Sequence, residues 1–305
     1  MKRFQEKTAG VITSSDLKTV KGRVVYLFIN IILILLCIMS LLPFIWTIFT
    51  SLKGTQEMYS SSAFFPKEMS WEIVKTRLQD AAMFMQMGRA SLNTLIVSIA
   101  STVFSVIVGG LGGFVLSRLK PRGSAVIFTL IVWTMMMPTQ IRTVPLFLSY
   151  MSFPFVAELP GEISLMNTYW PMILGHAASA FNVVLFKNNF DSISKSYVDA
   201  ARIDGCSDLR MFFNIMVPLS MPIIIYISIG LLQAPWGEFF TPYLVLTVDM
   251  LQTLPVKIFE LKSDPTISMN TYLMCLILSS LPGLLIFAIF QKHIMGGVNI
   301  GGVKE

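Results

Sequence analysis

Few side chains of this 305-residue sequence stand where they could bind or transform a small molecule. Arg142 lies between Pro138 and Pro145, and His176 lies in the middle of a long apolar run. Arg142 could face a water-filled path or extend to a membrane interface, because a charge at membrane depth requires a cavity or a partner. His176 could also be a hydrogen-bonded structural histidine. The pattern shows no paired carboxylates, no His/Glu metal set and no activated nucleophile, so we expect no catalytic residue.

The cysteines and the glycine cluster favour structural roles. Cys37 and Cys275 fall in apolar runs and Cys206 in a polar loop, so no pair is placed for a disulfide and no spacing suits a metal. The sequence GGLGG at 109–113 resembles a phosphate-binding loop only superficially, because no Gly-Lys-Ser/Thr follows it. Small residues in an apolar run instead allow helices to approach closely in lipid.

Six uncharged segments must position these residues. The mean hydropathy is +0.69, and 54% of the residues are hydrophobic while only 13% are charged, which is too apolar for a soluble domain. Each segment has about 20 residues or more, the length that crosses a bilayer as a helix. We therefore predict an all-α polytopic membrane protein with six transmembrane helices, of which the first is an uncleaved anchor. The segments are 24–50, 90–117, 123–141, 163–186, 211–237 and 265–291.

The net charge of +6 reflects a membrane topology and not a nucleic-acid partner. With the N-terminus inside, 15 of the 23 Lys and Arg residues lie on the same side of the membrane, and loops rich in these residues are retained in the cytoplasm. We therefore expect both termini in the cytoplasm. The predicted parts are a cytoplasmic N-terminal segment (1–23), a first transmembrane helix (24–50), an outer loop (51–89), a core of five transmembrane helices (90–291) and a cytoplasmic tail (292–305).

The six segments contain no Asp, Glu, Lys or Arg. A self-sufficient carrier driven by protons or ions usually needs ionisable side chains or broken helices at the membrane midplane. The sequence therefore indicates a pathway whose energy comes from another chain.

The loop at 187–216 is the most informative polar part of the core. Its Ser196-Tyr197-Val198-Asp199 sequence fits a capping box, which predicts a helix start at Ser196. Gly205 is the residue type that most easily ends a helix in the left-handed conformation, and Ser207 or Asp208 could cap a second short helix.

Helices this short are marginal in water, so the loop needs a surface to pack on. Its predicted apolar face consists of Tyr197, Val198, Ala201 and Ile203. A lipid surface is one candidate. A protein is the other, and the three aspartates that balance the basic residues of the loop argue for it, because they weaken attraction to anionic lipid.

These motifs resemble the inner-membrane permease subunits of binding-protein-dependent ABC importers, in the carbohydrate branch that includes the maltose-type permeases. The resemblance covers residues 90–305 and includes "SLNTLIVS", "MMMPTQIRTVPLF", "MNTYWPMIL", "QTLPVKIFEL" and "LPGLLIFAIFQKHIMGG". The cytoplasmic signature of the family reads "DAARIDG" here, with Asp199 in place of the usual Glu, and "PWGEFF" has Gly237 where Asn is common.

The resemblance implies a type I ABC importer permease fold, in a bacterial plasma membrane, with a cytoplasmic coupling helix in the loop. It implies that a separate ATPase docks on 196–213, binds the ATP and Mg²⁺, and leaves this chain without cofactor or metal. The other implied partners are a second permease subunit, a second ATPase copy and an extracellular binding protein that delivers a sugar or oligosaccharide.

The resemblance also implies two sets of site residues. Ala200, Ala201, Ile203 and Gly205 would form the docked surface, with Asp199 capping the helix or pairing with a basic residue of the ATPase. The full coupling set is Tyr197, Val198, Asp199, Ala200, Ala201, Arg202, Ile203, Asp204 and Gly205. The candidates for the translocation path are Arg142, His176, Trp236 and Glu238. A permease for a solute other than sugar, and a membrane enzyme or assembly factor acting on lipid or glycan, stay open as alternatives.

Overall fold

The computed structural model describes residues 19–60, 62–152 and 163–295. Within these ranges the chain is helical and forms no β-strand. Most of the predicted N-terminal segment (1–23) and tail (292–305) lies outside the described residues. The described residues form two compact units, one of 19–77 with 268–277 and the other of 78–267 with 278–295.

The first unit is built on one long apolar helix, α1 (Val20–Leu52). Thr19 caps its start, because the hydroxyl oxygen accepts a hydrogen bond from the Gly22 amide at 3.0 Å. The short helix α2 (Thr55–Ser60) follows. The side-chain amide of Asn270 donates to the Lys53 carbonyl oxygen at 2.9 Å, which joins the segment after α1 to the start of a later helix.

The remaining helices follow in chain order. Their bounds are α3 (Trp71–Phe84), α4 (Met87–Phe114, continued by a π-helical turn at Val115–Leu119), α5 (Ser124–Met136), α6 (Thr139–Met151), α7 (Trp170–Ala177), α8 (Ala180–Ser192), α9 (Lys195–Ile203), α10 (Asp208–Met211, continued by a π-helical turn at Phe212–Met216), α11 (Val217–Leu219), α12 (Met221–Gly237), α13 (Phe240–Val245), a 3₁₀ turn at Asp249–Leu251, α14 (Leu254–Leu261) and α15 (Met269–Met295).

Three of the six predicted spans have counterparts among the described helices, or five if each bent helix pair is counted as one span. The three helices that are long and apolar enough to cross a membrane are Val20–Leu52, Met87–Leu119 and Met269–Lys292. The two helix pairs bent by more than 40° are α5 with α6 and the 208–219 helix with α12. Pro138 lies at the first bend, where a missing amide hydrogen interrupts the helix. The predicted span 163–186 is instead divided between α7 and α8, which Ala178 and Ser179 separate.

Helix α4 is the centre of the second unit and packs against α7, α8 and α12. The close approach to α8 depends on Gly113, where an added Cβ would lie 2.6 Å from Phe186 Cβ and 2.8 Å from the Lys187 amide nitrogen. Such distances exclude any side chain at this position without movement of α8. The glycine cluster therefore acts in helix packing, as the sequence predicts.

Candidate functional site

Helix α9 begins two residues earlier than the capping-box pattern predicts. The N-cap is Ser194, whose hydroxyl oxygen accepts a hydrogen bond from the Ser196 amide at 3.3 Å. The capping-box prediction at Ser196 is therefore wrong, because Ser194 occupies the cap position. Asp199 consequently lies past the first turn of the helix and cannot cap it, so it is an exposed acid in the middle of α9.

The end of α9 has the geometry that Gly205 predicts. Gly205 has a φ of +72°, its amide donates to the Arg202 carbonyl at 3.1 Å and the Cys206 amide donates to the Ala201 carbonyl at 2.9 Å. These two bonds are the Schellman arrangement that satisfies the last carbonyls of a helix. Ser207 then caps α10 by accepting from the Arg210 amide at 3.4 Å, as predicted.

The predicted docking face of α9 is divided between two sides of the helix. Val198 and Ala201 are each only 5% exposed and pack inside the protein, so of the predicted docked residues Ala201 lies on the inner side of the helix. Tyr197 is 52% exposed and Ile203 is 85% exposed. Leu209 and Phe213 extend the apolar surface beyond α9. The exposed polar residues of the predicted set are Asp199, Arg202 and Asp204, and the exposed small ones are Ala200 and Gly205.

The buried side of the loop joins an aromatic core that we call the inner cluster. Its buried members are Phe114, Phe186, Phe190, Val198, Ala201, Met211, Phe212, Met216, Ile227 and Leu231. The ring centroids of Phe114 and Phe212 are 5.5 Å apart, and those of Phe186 and Phe190 are 5.8 Å apart. Helices α4, α8, α9 and α12 therefore share one core at the base of the loop.

Polar contacts reinforce this core where α4 ends. The Ser117 hydroxyl donates to the Asp191 carboxylate at 2.7 Å, and the Lys187 ammonium donates to the other oxygen of the same carboxylate at 2.6 Å. Burial tends to raise the pKa of Asp191, but the hydrogen bonds from Lys187 and Ser117 outweigh it and hold the pKa below its usual value. Arg118 donates from its guanidinium to the main-chain carbonyls of Phe190 and Ile193.

No sequence motif predicts this network, and from the sequence Arg118 is only one of the 15 basic residues assigned to the cytoplasmic side. Its acceptors are main-chain carbonyls, which carry no residue-specific signal. One feature of the sequence could have indicated the network, namely the polar Ser117-Arg118 pair at the end of an apolar run. Polar side chains at the end of a membrane span need hydrogen-bond partners.

Three of the four predicted path residues lie around two neighbouring cavities. The cavities have volumes of about 920 and 600 Å³, and Arg142, Gly175 and His176 line both of them. Glu238 lines the smaller cavity, and its carboxylate lies 3.3 Å from His176 Nε2 and accepts from the Thr241 hydroxyl at 2.6 Å. The fourth residue, Trp236, lines neither cavity.

The other end of α4 is tied to the segment between α13 and α15. Asn93 is buried, and its side-chain amide donates to the Met250 carbonyl at 3.0 Å and to the Gln252 carbonyl at 2.9 Å. The Thr94 hydroxyl accepts from the Leu254 amide at 2.9 Å. In the same segment, hydrogen bonds from Lys257 and Gln86 lower the pKa of Asp249. Sequence reasoning gave these residues no individual role.

The described residues bring no group of three or more His, Cys, Asp or Glu side chains together as a metal site. Among the same residues the three cysteines form no disulfide bond.

Comparison with known proteins identifies relatives over almost the whole chain. The family model described as "binding-protein-dependent transport system inner membrane component" matches residues 106–299. The probable starch degradation products permease AmyC of Thermoanaerobacterium thermosulfurigenes is 28% identical over 91% of this chain and 96% of its own. The arabinooligosaccharides permease AraQ of Bacillus subtilis is 26% identical over 90% of this chain and 95% of its own.

A solved structure shares the fold. It is a bacterial ABC transporter involved in the import of the acidic polysaccharide alginate, with a TM-score of 0.75 and 22% identity over 90% of this chain and 98% of that one. This similarity confirms the predicted type I ABC permease fold. The family match confirms the resemblance drawn from the sequence motifs and makes this chain a transport subunit of the membrane and not an enzyme. With a family model that covers residues 106–299, the chain belongs to the inner membrane components of binding-protein-dependent transport systems.

Proposed function

We propose that this chain is a permease subunit that translocates a sugar or oligosaccharide delivered by an extracellular binding protein, with energy from a separate ATPase docked on residues 196–213. The ATPase subunits bind the ATP and Mg²⁺, and a second permease chain completes the pathway. Both termini lie in the cytoplasm of a bacterial cell, on the side of the ATPase.

The observation that carries this proposal is the outer side of the α9–α10 loop. Tyr197, Ile203, Leu209 and Phe213 are large apolar side chains that remain exposed on two short helices, although isolated helices of this length are not stable by themselves. The inner side of the loop is fixed in the inner cluster. A surface that is rigid from within and apolar outside is suited to a protein groove.

The exposed acids define the expected chemistry of that groove. Asp199 and Asp204 flank the apolar positions, so we expect basic side chains at the rim of the ATPase groove and apolar side chains at its centre. Val198 and Ala201 support the helix from inside and make no contact with the ATPase.

Carbohydrate is the proposed cargo because the relatives are permeases for starch degradation products and arabinooligosaccharides, and because the cavities fit such a ligand. Their lining combines apolar walls with the polar groups of Arg142, His176 and Glu238, as sites for polar small molecules do. We expect no direct contact between Trp236 and the substrate, since Trp236 lines neither cavity.

The test is purification of the tagged protein from its own membrane in mild detergent, followed by mass spectrometry of the chains that accompany it. Wild type is compared with Ile203→Asp, which places a charge at the most exposed of the four apolar side chains. We expect wild type to bring down an ATPase and a second permease, and Ile203→Asp to lose at least about 90% of the ATPase while it retains the second permease, since a buried unpaired charge strongly weakens an interface.

The matched control is Met69→Asp, which adds the same charge at another exposed apolar side chain that is not part of the loop. It should retain the ATPase. Full ATPase recovery with Ile203→Asp would exclude this surface as the docking site, and isolation of the wild-type chain alone would count against the importer function itself.

A further inference from the structure

Arg118 holds the junction between α8 and α9. Its guanidinium donates to two main-chain carbonyls, that of Phe190 in the last turn of α8 and that of Ile193 just after it. The next residue, Ser194, is the N-cap of α9. A single side chain of α4 is therefore bonded to the end of one helix and to the residue that leads into the next.

The bonds from Arg118 to the two carbonyls are electrostatically favourable. The last carbonyls of a helix have no partner within the helix and carry a partial negative charge, which a cation at that end stabilises. Both bonds come from one guanidinium nitrogen, Nη2, whose two hydrogens have fixed directions in the plane of the group, whereas a lysine ammonium is a point charge on a flexible stem. Arg118 thus fixes the direction of the junction as well as its position.

Neighbouring contacts connect the same two parts of the chain. Ser117, adjacent to Arg118, donates to Asp191 in the last turn of α8, and the Asp191 and Asp199 carboxylates both attract the Arg118 guanidinium. On the apolar side, Phe114 of α4 belongs to the same buried cluster as Val198 and Ala201 of α9. The end of α4 is therefore bonded to the end of α8 and to the residue before the N-cap of α9, and it shares a buried apolar cluster with α9.

We propose that Arg118 is a positioning residue that transmits movement of α9 to α4. The inference rests on the proposed docking of an ATPase on the α9–α10 loop. When the ATPase displaces α9, the two guanidinium bonds oblige the end of α4 to move with the α8–α9 junction. Helix α4 packs against α7, and α7 contributes Gly175 and His176 to the lining of both cavities, so movement of α4 reaches the substrate path.

The test measures this transmission without any transported substrate. The complex with its ATPase, purified from its own membrane, is compared by amide hydrogen exchange and mass spectrometry in the presence of ADP and after trapping with ATP and vanadate. In wild type we expect trapping to change exchange both in the loop at 195–213 and at the end of α4, residues 115–124. In Arg118→Gln, the change at 195–213 should persist while the change at 115–124 falls about tenfold, because hydrogen bonds to a charged group are lost.

Two variants separate transmission from a general structural effect. Arg122→Gln makes the same chemical change at an exposed arginine four residues away and should behave as wild type. Arg118→Lys keeps the charge and N–H donors but loses the planar guanidinium, and should give an intermediate response at 115–124. If Arg118 had a purely structural role, its substitution would raise amide exchange in both regions even without nucleotide. The responses of 195–213 and 115–124 to trapping would then change together.

The possible results bear differently on the two proposals. A wild-type complex whose 195–213 region does not respond to trapping counts against ATPase docking there. An Arg118→Gln complex that responds at 115–124 as wild type does overturns the transmission role alone. If Arg118→Gln does not assemble with the ATPase, Arg118→Lys decides: a reduced response at 115–124 supports the proposal, while a wild-type response, or failure of both variants to assemble, overturns it.

Discussion

Gly205 is the single residue on which the shape of the α9–α10 loop depends most. Its φ of +72° lies in the left-handed region, which costs a β-branched residue about 1–3 kcal/mol. An added Cβ would meet no atom within 4 Å, so the cost of a substitution is conformational and not steric. We expect Gly205→Val to insert in the membrane but to uncouple ATP hydrolysis from uptake, measured as both rates in membrane vesicles.

The control for this prediction is Gly205→Asn, because asparagine tolerates the left-handed conformation better than other residues with a side chain. It should keep most of the uptake. Normal uptake by Gly205→Val would show that the positive φ is not needed for coupling.

Individual residues also show where sequence reasoning succeeds and where it fails. Gly205 and Ser207 were predictable because their roles are local, and their main-chain bonds lie within a few residues. The division of the docking face was also within reach: at 100° per residue Ile203 lies roughly 140–160° around the helix axis from Val198 and Ala201. Grouping all four apolar residues on one face overlooked that angle.

At the scale of helices, the contact between α4 and α8 gives a direct test of close packing. A Cβ at Gly113 would lie 2.6 Å from Phe186 Cβ and 2.8 Å from the Lys187 amide nitrogen, so Gly113→Ala must push the two helices apart. Overpacking of this kind costs about 1–3 kcal/mol. We expect a lower unfolding temperature for the purified protein, followed by thermal denaturation in detergent.

Gly112→Ala is the matched control for that helix pair. Its added Cβ would lie 3.5 Å from the Val183 methyl groups, an ordinary contact, and alanine favours a helix over glycine by about 1 kcal/mol. Its unfolding temperature should equal or exceed that of wild type. Equal unfolding temperatures for both variants would mean that α8 can move aside at little cost.

Helix-scale contacts also explain what the sequence could not reveal. The apolar runs predicted three of the spans, or five if each bent helix pair is one span, because length and hydropathy are local properties. The bonds from Arg118 to α8 join positions 72 and 75 residues apart and end on main-chain oxygens. The residue types at 190 and 193 do not predict such a bond, so it can be identified only in the folded structure.

Within the second unit of the molecule, each end of α4 is bonded to a segment that the proposed mechanism uses. At one end Asn93 and Thr94 bond the segment at 250–254, and at the other Ser117 and Arg118 bond α8 and the junction with α9. Between them the helix is continuous over Met87–Leu119. A continuous helix fixed at both ends transmits displacement with little loss, so events at the 250–254 segment should affect the ATPase.

Asn93→Ala tests this connection, because it removes both donors and leaves the carbonyls of Met250 and Gln252 without that partner, at about 1–3 kcal/mol for each buried acceptor left unsatisfied. We expect faster amide exchange at 250–254 and a several-fold weaker stimulation of ATP hydrolysis by the binding protein, with the unstimulated rate unchanged. Ser91→Ala is the control, since the Ser91 hydroxyl has no hydrogen-bond partner in the part of the chain that the structure describes. Undiminished stimulation in Asn93→Ala, despite faster exchange at 250–254, would show that α4 does not carry the signal from that segment to the ATPase.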